Sequence, residues 1–524
     1  MSRDRFDAIV IGAGANGLAA AAALARAGHS TLILERASAV GGKARCLEFA
    51  PGFRAAPLSD TAGWLPPSVA AGLGMALPAL DQSSLSVTVD GGGFLTLDPD
   101  PGRAAGTIRS YAPADAERWP RFTALLDDLA GFLARLYQRA TPDVDAATIG
   151  EMATVASLAW HFRRMGRRGM IELMRTIPMS VQELLDDWFT HDALKAVVAS
   201  GGVHGIRQGP RAGGTGFVLL HHRVGAAAGS PRGRGYWRAG PDAAVLAFAE
   251  TARRHGATIR TDAEVTHIVV TDAGVSGVVL RSGEQIDAAT VLATPDPGHV
   301  LLDLVDPVRL DPEFRHAVKQ IKYRGSTAYV LYALDARPDV PGLSLDGAAL
   351  TGTVSLTANM VLLERAYDAA KHGTMPAHPH VEFSLPSVRW PHLAPTGKHI
   401  LLAEARYVRY APEDDAARET LTDAITRAVA AVAPRFEDMI LHRATLTPRD
   451  LAEQFGLSEG AATHGELTLD QILFMRPVPG WAHYRMPVSG LYLCGAGTHP
   501  GPGVLGGAGW LAARSVCTRR KPAG

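Results

Sequence analysis

Gly12-Ala13-Gly14-Ala15-Asn16-Gly17 spaces its glycines as G-x-G-x-x-G, and Glu35 follows 18 residues after Gly17. That spacing suits a diphosphate held on backbone. Gly12 permits a tight turn, Gly14 lets the chain approach the phosphates, and Gly17 lets a helix pack closely on a strand. Ala15 and Asn16 open the helix, whose N-terminus offers free N–H groups and the positive end of its dipole. Glu35 is placed to accept hydrogen bonds from both ribose hydroxyls, and its charge disfavours a 2′-phosphate. A second glycine pair lies in Val40-Gly41-Gly42-Lys43-Ala44, next to Arg36. It lets the chain pass close to a diphosphate, with positive charge available from Lys43 or Arg45.

A second chemical locus lies near the other end. Gly490–Cys494 runs into Gly495-Ala496-Gly497-Thr498-His499-Pro500-Gly501-Pro502-Gly503-Val504-Leu505-Gly506-Gly507. A strand that ends in glycines and then opens a helix lets a flat ring lie against backbone. A helix start near Val504 would stabilise negative charge there. His499, His221 and His222 are acid/base candidates, with His499 the first choice. Ser59-Asp60 reads equally as a helix cap or turn.

These residues need elements to hold them. Asp7–Ile11 predicts a short buried strand, followed by a helix to Ala27 that Gly28 ends, and a second strand over Thr31–Glu35. Ser86–Val89 and Phe94–Leu97 flank a glycine turn and predict a hairpin. Residues 113–198 predict helices, 201–240 an irregular glycine- and arginine-rich stretch, and Asp242–His255 another helix. Further strands are predicted at Ala257–Arg260, Glu264–Val270, Gly277–Leu280, Thr290–Ala293, Ser326–Leu334, Val381–Leu385, His399–Tyr407 and Leu491–Cys494. Glu413–Ala433 predicts an amphipathic helix stopped by Pro434. The expected class is α/β: a Rossmann-like, doubly wound parallel sheet with an inserted α+β substrate domain. The first domain is expected from residues 1–75, 235–305 and 465–524, the second from 76–234 and 306–464.

The glycine loops resemble those of phytoene-desaturase-like flavoproteins, in the superfamily of carotenoid desaturases and amine oxidases. Val40–Ala44 resembles that superfamily's G-G-R/K element, and 490–508 its C-terminal signature. Thr215–His222, Gly235-Tyr236, Leu469-Asp470-Gln471 and Arg476-Pro477-Val478-Pro479-Gly480 resemble the branch of pyridine nucleotide-disulphide oxidoreductase domain-containing protein 2. The resemblance spans nearly the whole chain and implies FAD as cofactor. It implies that Val265 lies by the adenine, that Thr294 ends the strand returning to the nucleotide domain, and that Ser59-Asp60 passes the flavin. It also implies that Gly495 and Val504 approach the flavin ring. The chain departs from the pattern at Trp237-Arg238-Ala239, at Pro502 and at Trp510. The activity implied is an FAD-dependent oxidoreductase that dehydrogenates, desaturates or isomerises a mainly apolar substrate. Dioxygen, a quinone or another acceptor would take the electrons. A flavin amine oxidase and a non-catalytic flavoprotein scaffold are the alternatives.

The bulk properties narrow the field. With 524 residues the chain exceeds one ordinary core. Its 52 basic and 52 acidic residues cancel, so no nucleic-acid partner is expected. Three cysteines in no C-x-x-C spacing argue against a redox dithiol, a zinc site or a disulfide framework, and no metal is expected. A second dinucleotide fingerprint is also missing, so electrons are expected from the substrate and not from NAD(P)H. The apolar stretch Ala8–Ala27 is broken by glycines and Asn16 and is not read as a leader or membrane span. A cytoplasmic protein is expected. The basic and apolar run around Trp160-His161-Phe162-Arg163-Arg164 suggests peripheral membrane contact through 160–189. Oligomerisation is left open.

Overall fold

The computed structural model describes residues 5–518 apart from 143–148, 228, 234, 344–350 and 413. Ala8–Ile11 is apolar at every position and buried on both faces, which suits the middle of a parallel sheet. Thr31–Leu34 and Val291–Ala293 flank it, with Val10 opposite both Ile33 and Leu292. Thr258–Arg260 and Leu491–Leu493 complete the sheet on its two sides, and every pairing is parallel. All five strands therefore point their carboxyl ends the same way. Gly12, Glu35, Thr294 and Gly495 emerge along that one edge, where ligands of open α/β sheets bind.

The helix Ala15–Arg26 crosses back over the sheet against Ala243–Arg254 and Gly507–Thr518. Its alanines make a smooth face, so the helices approach closely: a Cβ on Gly509 would lie 1.8 Å from Asn16 O. The other face is covered by the meander Val265–Thr271, Gly274–Leu280 and Gln285–Ala288, which Arg5–Phe6 joins in parallel. The architecture is the α/β class with a Rossmann-like parallel sheet.

A seven-stranded sheet stands beside it, in the order Ile440–Leu446, Thr327–Leu334, His399–Arg406, His380–Ser384, Thr353–Ser355, Leu85–Thr88 and Phe94–Leu97. Its pairings are antiparallel except between Thr353–Ser355 and Leu85–Thr88. Asp415–Ala430 seals one face with Leu421, Ile425 and Val429 over Val330 and Leu401. Glu413, the expected start of that helix, lies outside the described residues. The helices Pro113–Tyr137, Val181–Asp186, Asp192–Gly202 and Thr215–Arg223 form a separate core around Trp119, Phe122 and Phe189.

Two expectations need correction, and one strand was not expected. The stretch 201–240 is not irregular throughout, since Thr215–Arg223 is a buried helix and Gly235–Trp237 a strand. Its glycines hid it: Gly214 caps the helix at φ +85°, so glycine there starts an element and does not break one. Ile440–Leu446 was not foreseen, because His442 and Arg443 interrupt its apolar alternation. The last helix starts at Gly507, not near Val504.

Candidate functional site

The carboxyl edge of the parallel sheet opens into a cavity of about 840 Å³ that extends to the seven-stranded sheet. Of the residues singled out for cofactor binding, Gly12, Gly14, Ala15, Asn16, Glu35, Arg36, Gly42, Lys43, Ala44, Ser59, Val265, Thr294, Gly495 and Val504 all line it. Gly17 does not, and its place explains why it is glycine. A Cβ there would lie 1.9 Å from Gly12 O, so a larger residue would push the helix off the turn.

Two glycine loops come into near contact at the G-x-G-x-x-G turn. A Cβ on Gly42 would sit 3.0 Å from Gly14 Cα. The helix that starts at Ala15 has Gly14 as its cap and no side-chain cap bond, which leaves its first N–H groups for an anion. Asn16 Oδ1 is buried there without a hydrogen-bond partner. Such an orphan acceptor beside an open N-terminus fits a polar ligand. Glu35 is 8 % exposed. Its Oε2 accepts from Ala13 N at 2.7 Å and its Oε1 from Ala37 N at 2.9 Å. The carboxylate thus ties the turn to the end of the second strand before any ribose arrives, and two-oxygen acceptor capacity remains.

Three cations bridge from this end to the segment 453–462. Arg36 donates to Glu453 O, Arg45 to Gln454 O at 2.9 Å, and Lys43 Nζ to Ala462 O at 2.6 Å. Burial and the Arg476 guanidinium bring the Lys43 ammonium down to about 8. Burial, with Lys43 and Arg476 nearby, brings His464 down to about 3.

At the other end, the loop before the last helix is laced to Trp64. Trp64 N donates to Gly503 O at 2.8 Å, and Leu505 N donates to Trp64 O at 2.7 Å. Val504 is therefore held as a bridge residue beside Trp64, and no helix begins there. Ser59 Oγ donates to Pro241 O at 3.0 Å on the cavity wall. Asp60 faces a smaller side chamber of about 60 Å³ instead, where it accepts from Ser384 Oγ and pairs with Arg389.

The histidines divide. His499 does not reach the cavity, which corrects its candidacy. Its ring is fully buried, with Nε2 donating to Leu136 O and Arg139 O, and burial pushes it down to about 4. His221 lines the cavity, but both its nitrogens are used. Nε2 donates to Pro502 O at 2.8 Å and Nδ1 accepts from the Tyr137 hydroxyl at 2.7 Å. His221 is also pushed down to about 4 by burial, so it is a neutral strut. His222 lines the wall and donates from Nε2 to His204 O.

Several residues of the wall carried no local signal. His204, Arg232, Arg324, Tyr329 and Glu404 line it from elements far apart in sequence. Behind them Glu382 bridges Arg232 at 2.5 Å and Arg406 at 3.1 Å, and Arg406 also holds Glu404 at 2.7 Å. Arg406 Nη2 donates to His204 Nδ1 at 2.6 Å, which fixes that ring's neutral tautomer. The thiols of Cys46 and Cys494 are unpaired, and burial raises both. Among the described residues no group of three metal-ligating side chains occurs.

The sequence pattern of the family of flavin containing amine oxidoreductases matches residues 16–519. The chain is 33% identical to pyridine nucleotide-disulfide oxidoreductase domain-containing protein 2 of Rattus norvegicus, over 98% of this chain and 94% of that protein. It is 26% identical to hydroxyneurosporene desaturase of Rhodobacter capsulatus, over 96% of this chain and 95% of that protein. Among solved structures, cyclohexylamine oxidase from Brevibacterium oxydans superposes with a TM-score of 0.56 at 15% identity, covering 98% of both chains.

Proposed function

The chain belongs to the family of flavin-containing amine oxidoreductases and is an FAD-dependent oxidoreductase, and from that premise we propose that it dehydrogenates neighbouring carbons of a mainly apolar substrate. A related isomerisation is the variant of this reading. Electrons would pass to dioxygen, a quinone or another diffusible acceptor.

The observation that carries the proposal is the state of the cavity's carboxylates. Those lining it are Glu35, Glu264, Glu404 and Glu459. Glu35 is held by two backbone N–H groups, Glu264 by Arg281, Glu404 by Arg406 and Glu459 by Arg324 N. Arginines cancel Glu264 and Glu404, and Glu35 is turned to the nucleotide turn, which leaves Glu459, on one backbone N–H, as the carboxylate an ammonium could meet. Leu58, Trp64, Leu65, Ile206, Val224 and Trp237 supply apolar surface.

FAD supplies the two-electron acceptor when bound. The cradle of Gly14 and Gly42 and the open helix N-terminus fit its diphosphate. Glu35 would hold the ribose and Val265 would border the adenine. The Trp64–Val504 lacing fixes the wall at the ring end, and the apolar side chains exclude water, which strengthens every polar contact inside. Lys43 and Arg476 keep positive charge on the side of Ala462–His464 and Ala496.

Anaerobic bleaching of the bound flavin by a panel of apolar metabolites, run beside a panel of amines, tests the reading. Bleaching by apolar compounds supports it. Bleaching by amines alone, with hydrogen peroxide released on aeration, overturns it in favour of an amine oxidase.

We also propose that the substrate is drawn from a membrane surface. Trp160, Ile171 and Met174 are 53%, 52% and 65% exposed on the helices Ile149–Arg164 and Gly166–Thr176, beside four arginines at 163, 164, 167 and 168. Apolar side chains ringed by arginine match an anionic lipid interface. The surface is narrower than residues 160–189, because Val181, Leu184, Leu185 and Phe189 are buried in the helical core. No described helix is long and apolar enough to cross a membrane.

A further inference from the structure

Arg476 is buried to 2% exposure behind the cavity wall, on the side of Thr463, His464 and Ala496. Its Nη2 donates to Thr463 O, His464 O, Gly465 O and Ala496 O at 3.0–3.2 Å. Nη1 donates to Gly465 O, Glu466 O and Gln471 O at 3.0–3.3 Å. Nε is buried with no partner. Thr463, His464 and Ala496 all line the cavity, so the guanidinium sits one residue behind its wall.

Every partner of this cation is a carbonyl. Among the described residues Arg476 forms no ion pair. Glu466, whose carbonyl it binds, sends its carboxylate elsewhere, to Arg324 and to Arg207 N. Asp296, beside Pro295 of the cavity wall, accepts from Ser458 Oγ and His299 N. Carbonyl dipoles solvate a guanidinium but do not cancel its charge. A buried charge without a counter-ion costs several kcal/mol. A neutral donor would hold the same loop without that cost.

We propose that Arg476 is the fixed counter-charge for the negative charge that FAD carries when reduced, and that it acts as a positioning residue through the Gly495–Ala496 backbone. The FAD diphosphate is present in either redox state, and reduction adds a further negative charge that this fixed cation favours. Lys43, the other cation of this wall, cannot serve at all pH values, since it titrates at about 8. Arg476 is lowered by burial only to about 10 and stays charged at neutrality. Its field also reaches Tyr137, His221, Tyr323, His464 and His499, whose ionisations it biases toward the neutral or negative form. This inference rests on FAD being the cofactor.

The test compares Arg476→Lys with Arg476→Gln in the FAD-loaded protein. Both lose hydrogen bonds to the loop, and both should melt earlier than the parent. Only Arg476→Gln loses the charge. Its flavin should become harder to reduce by at least tenfold against a reference dye, or about 30 mV for a two-electron couple. Arg476→Lys should stay within threefold of the parent. Equal shifts in both variants, or none in Arg476→Gln, would overturn the proposal and leave only a structural clamp. The parent protein gives a second reading that needs no variant. Reduced in mildly acidic buffer, it should show the absorption of the anionic flavin, and the spectrum of the neutral reduced form overturns the proposal. Absence of flavin from the parent would instead remove the premise.

Discussion

Replacing Glu35 by Ala should damage both the protein and its cofactor site, and the two losses can be measured apart. The carboxylate satisfies Ala13 N–H, which is fully buried, and Ala37 N–H, which is half-buried. A buried donor left unmade costs about 1–3 kcal/mol, and one that water partly reaches costs less. The apoprotein should therefore lose about 2–4 kcal/mol of stability on Glu35→Ala. FAD then loses its ribose acceptor as well. One charge-assisted bond is worth about 1.5–3 kcal/mol, so affinity should fall by roughly ten- to hundredfold. Glu35→Gln keeps one acceptor oxygen but presents an NH₂ to the other backbone donor, and should fall between. Urea denaturation of the apoprotein measures the first loss, and FAD titration at a urea-free temperature well below melting measures the second. An apoprotein as stable as the parent would refute the anchoring role. Unchanged FAD affinity would refute the ribose role.

Lys43 gives opposite pH trends for two observables. It titrates at about 8 in the fold against an ordinary value of 10.5, so between these values the unfolded chain holds the extra proton and this group adds apoprotein stability as pH rises. FAD affinity should instead fall as pH rises through about 8, because the ammonium is lost, and Lys43→Met should flatten that dependence in fluorescence titrations. A parallel dependence in Lys43→Met would reject the assignment. At the C-terminal loop, Gly495→Ala should abolish FAD binding, since its Cβ would lie 2.1 Å from Thr294 O. Gly503→Ala meets nothing within 4 Å and carries only the strain of φ +76°, about 1–2 kcal/mol, so flavin content per protein should rank Gly503→Ala well above Gly495→Ala. The reverse ranking would show that the wall at Gly495 yields. Sedimentation with vesicles containing anionic lipid should pull down the protein, and a variant with arginines 163, 164, 167 and 168 changed to Glu should stay in solution. Equal pull-down of both would remove this face as the contact.

What could be read in the sequence was what is local. Gly12–Gly17 and Glu35 are close in the chain, and each glycine has one steric reason to be there, so the pattern carries its own geometry. Val265 and Thr294 were legible only through the resemblance, but they fall on the same cavity. The far wall was not legible. His204, Arg232, Arg324 and Glu404 meet only because the seven-stranded sheet and the helical core converge there. Arg476 was visible as part of an Arg-Pro-Val-Pro-Gly motif, yet its partners are carbonyls, which leave no trace in side-chain identity. His499 misled because a histidine in a glycine–proline loop suggests exposure, whereas the ring turns inward onto the end of Pro113–Tyr137. Val504 misled because Gly506, at φ +69°, delays the helix to Gly507.

The arrangement of the parallel sheet also sets a timetable. Its central strand, Ala8–Ile11, is made long before its edge strand, Leu491–Leu493. The alanine face of Ala15–Arg26 is closed by Ala243–Arg254 and, last, by Gly507–Thr518. During synthesis the fingerprint turn must therefore wait, half-covered, while the helical core and the seven-stranded sheet emerge and fold. Contacts of such long sequence separation form slowly. The nucleotide site is whole only once Leu491–Leu493 and Gly507–Thr518 have docked, so tight holding of FAD follows that docking. Until then the waiting apolar face of Ala15–Arg26 is the surface a chaperone would shield.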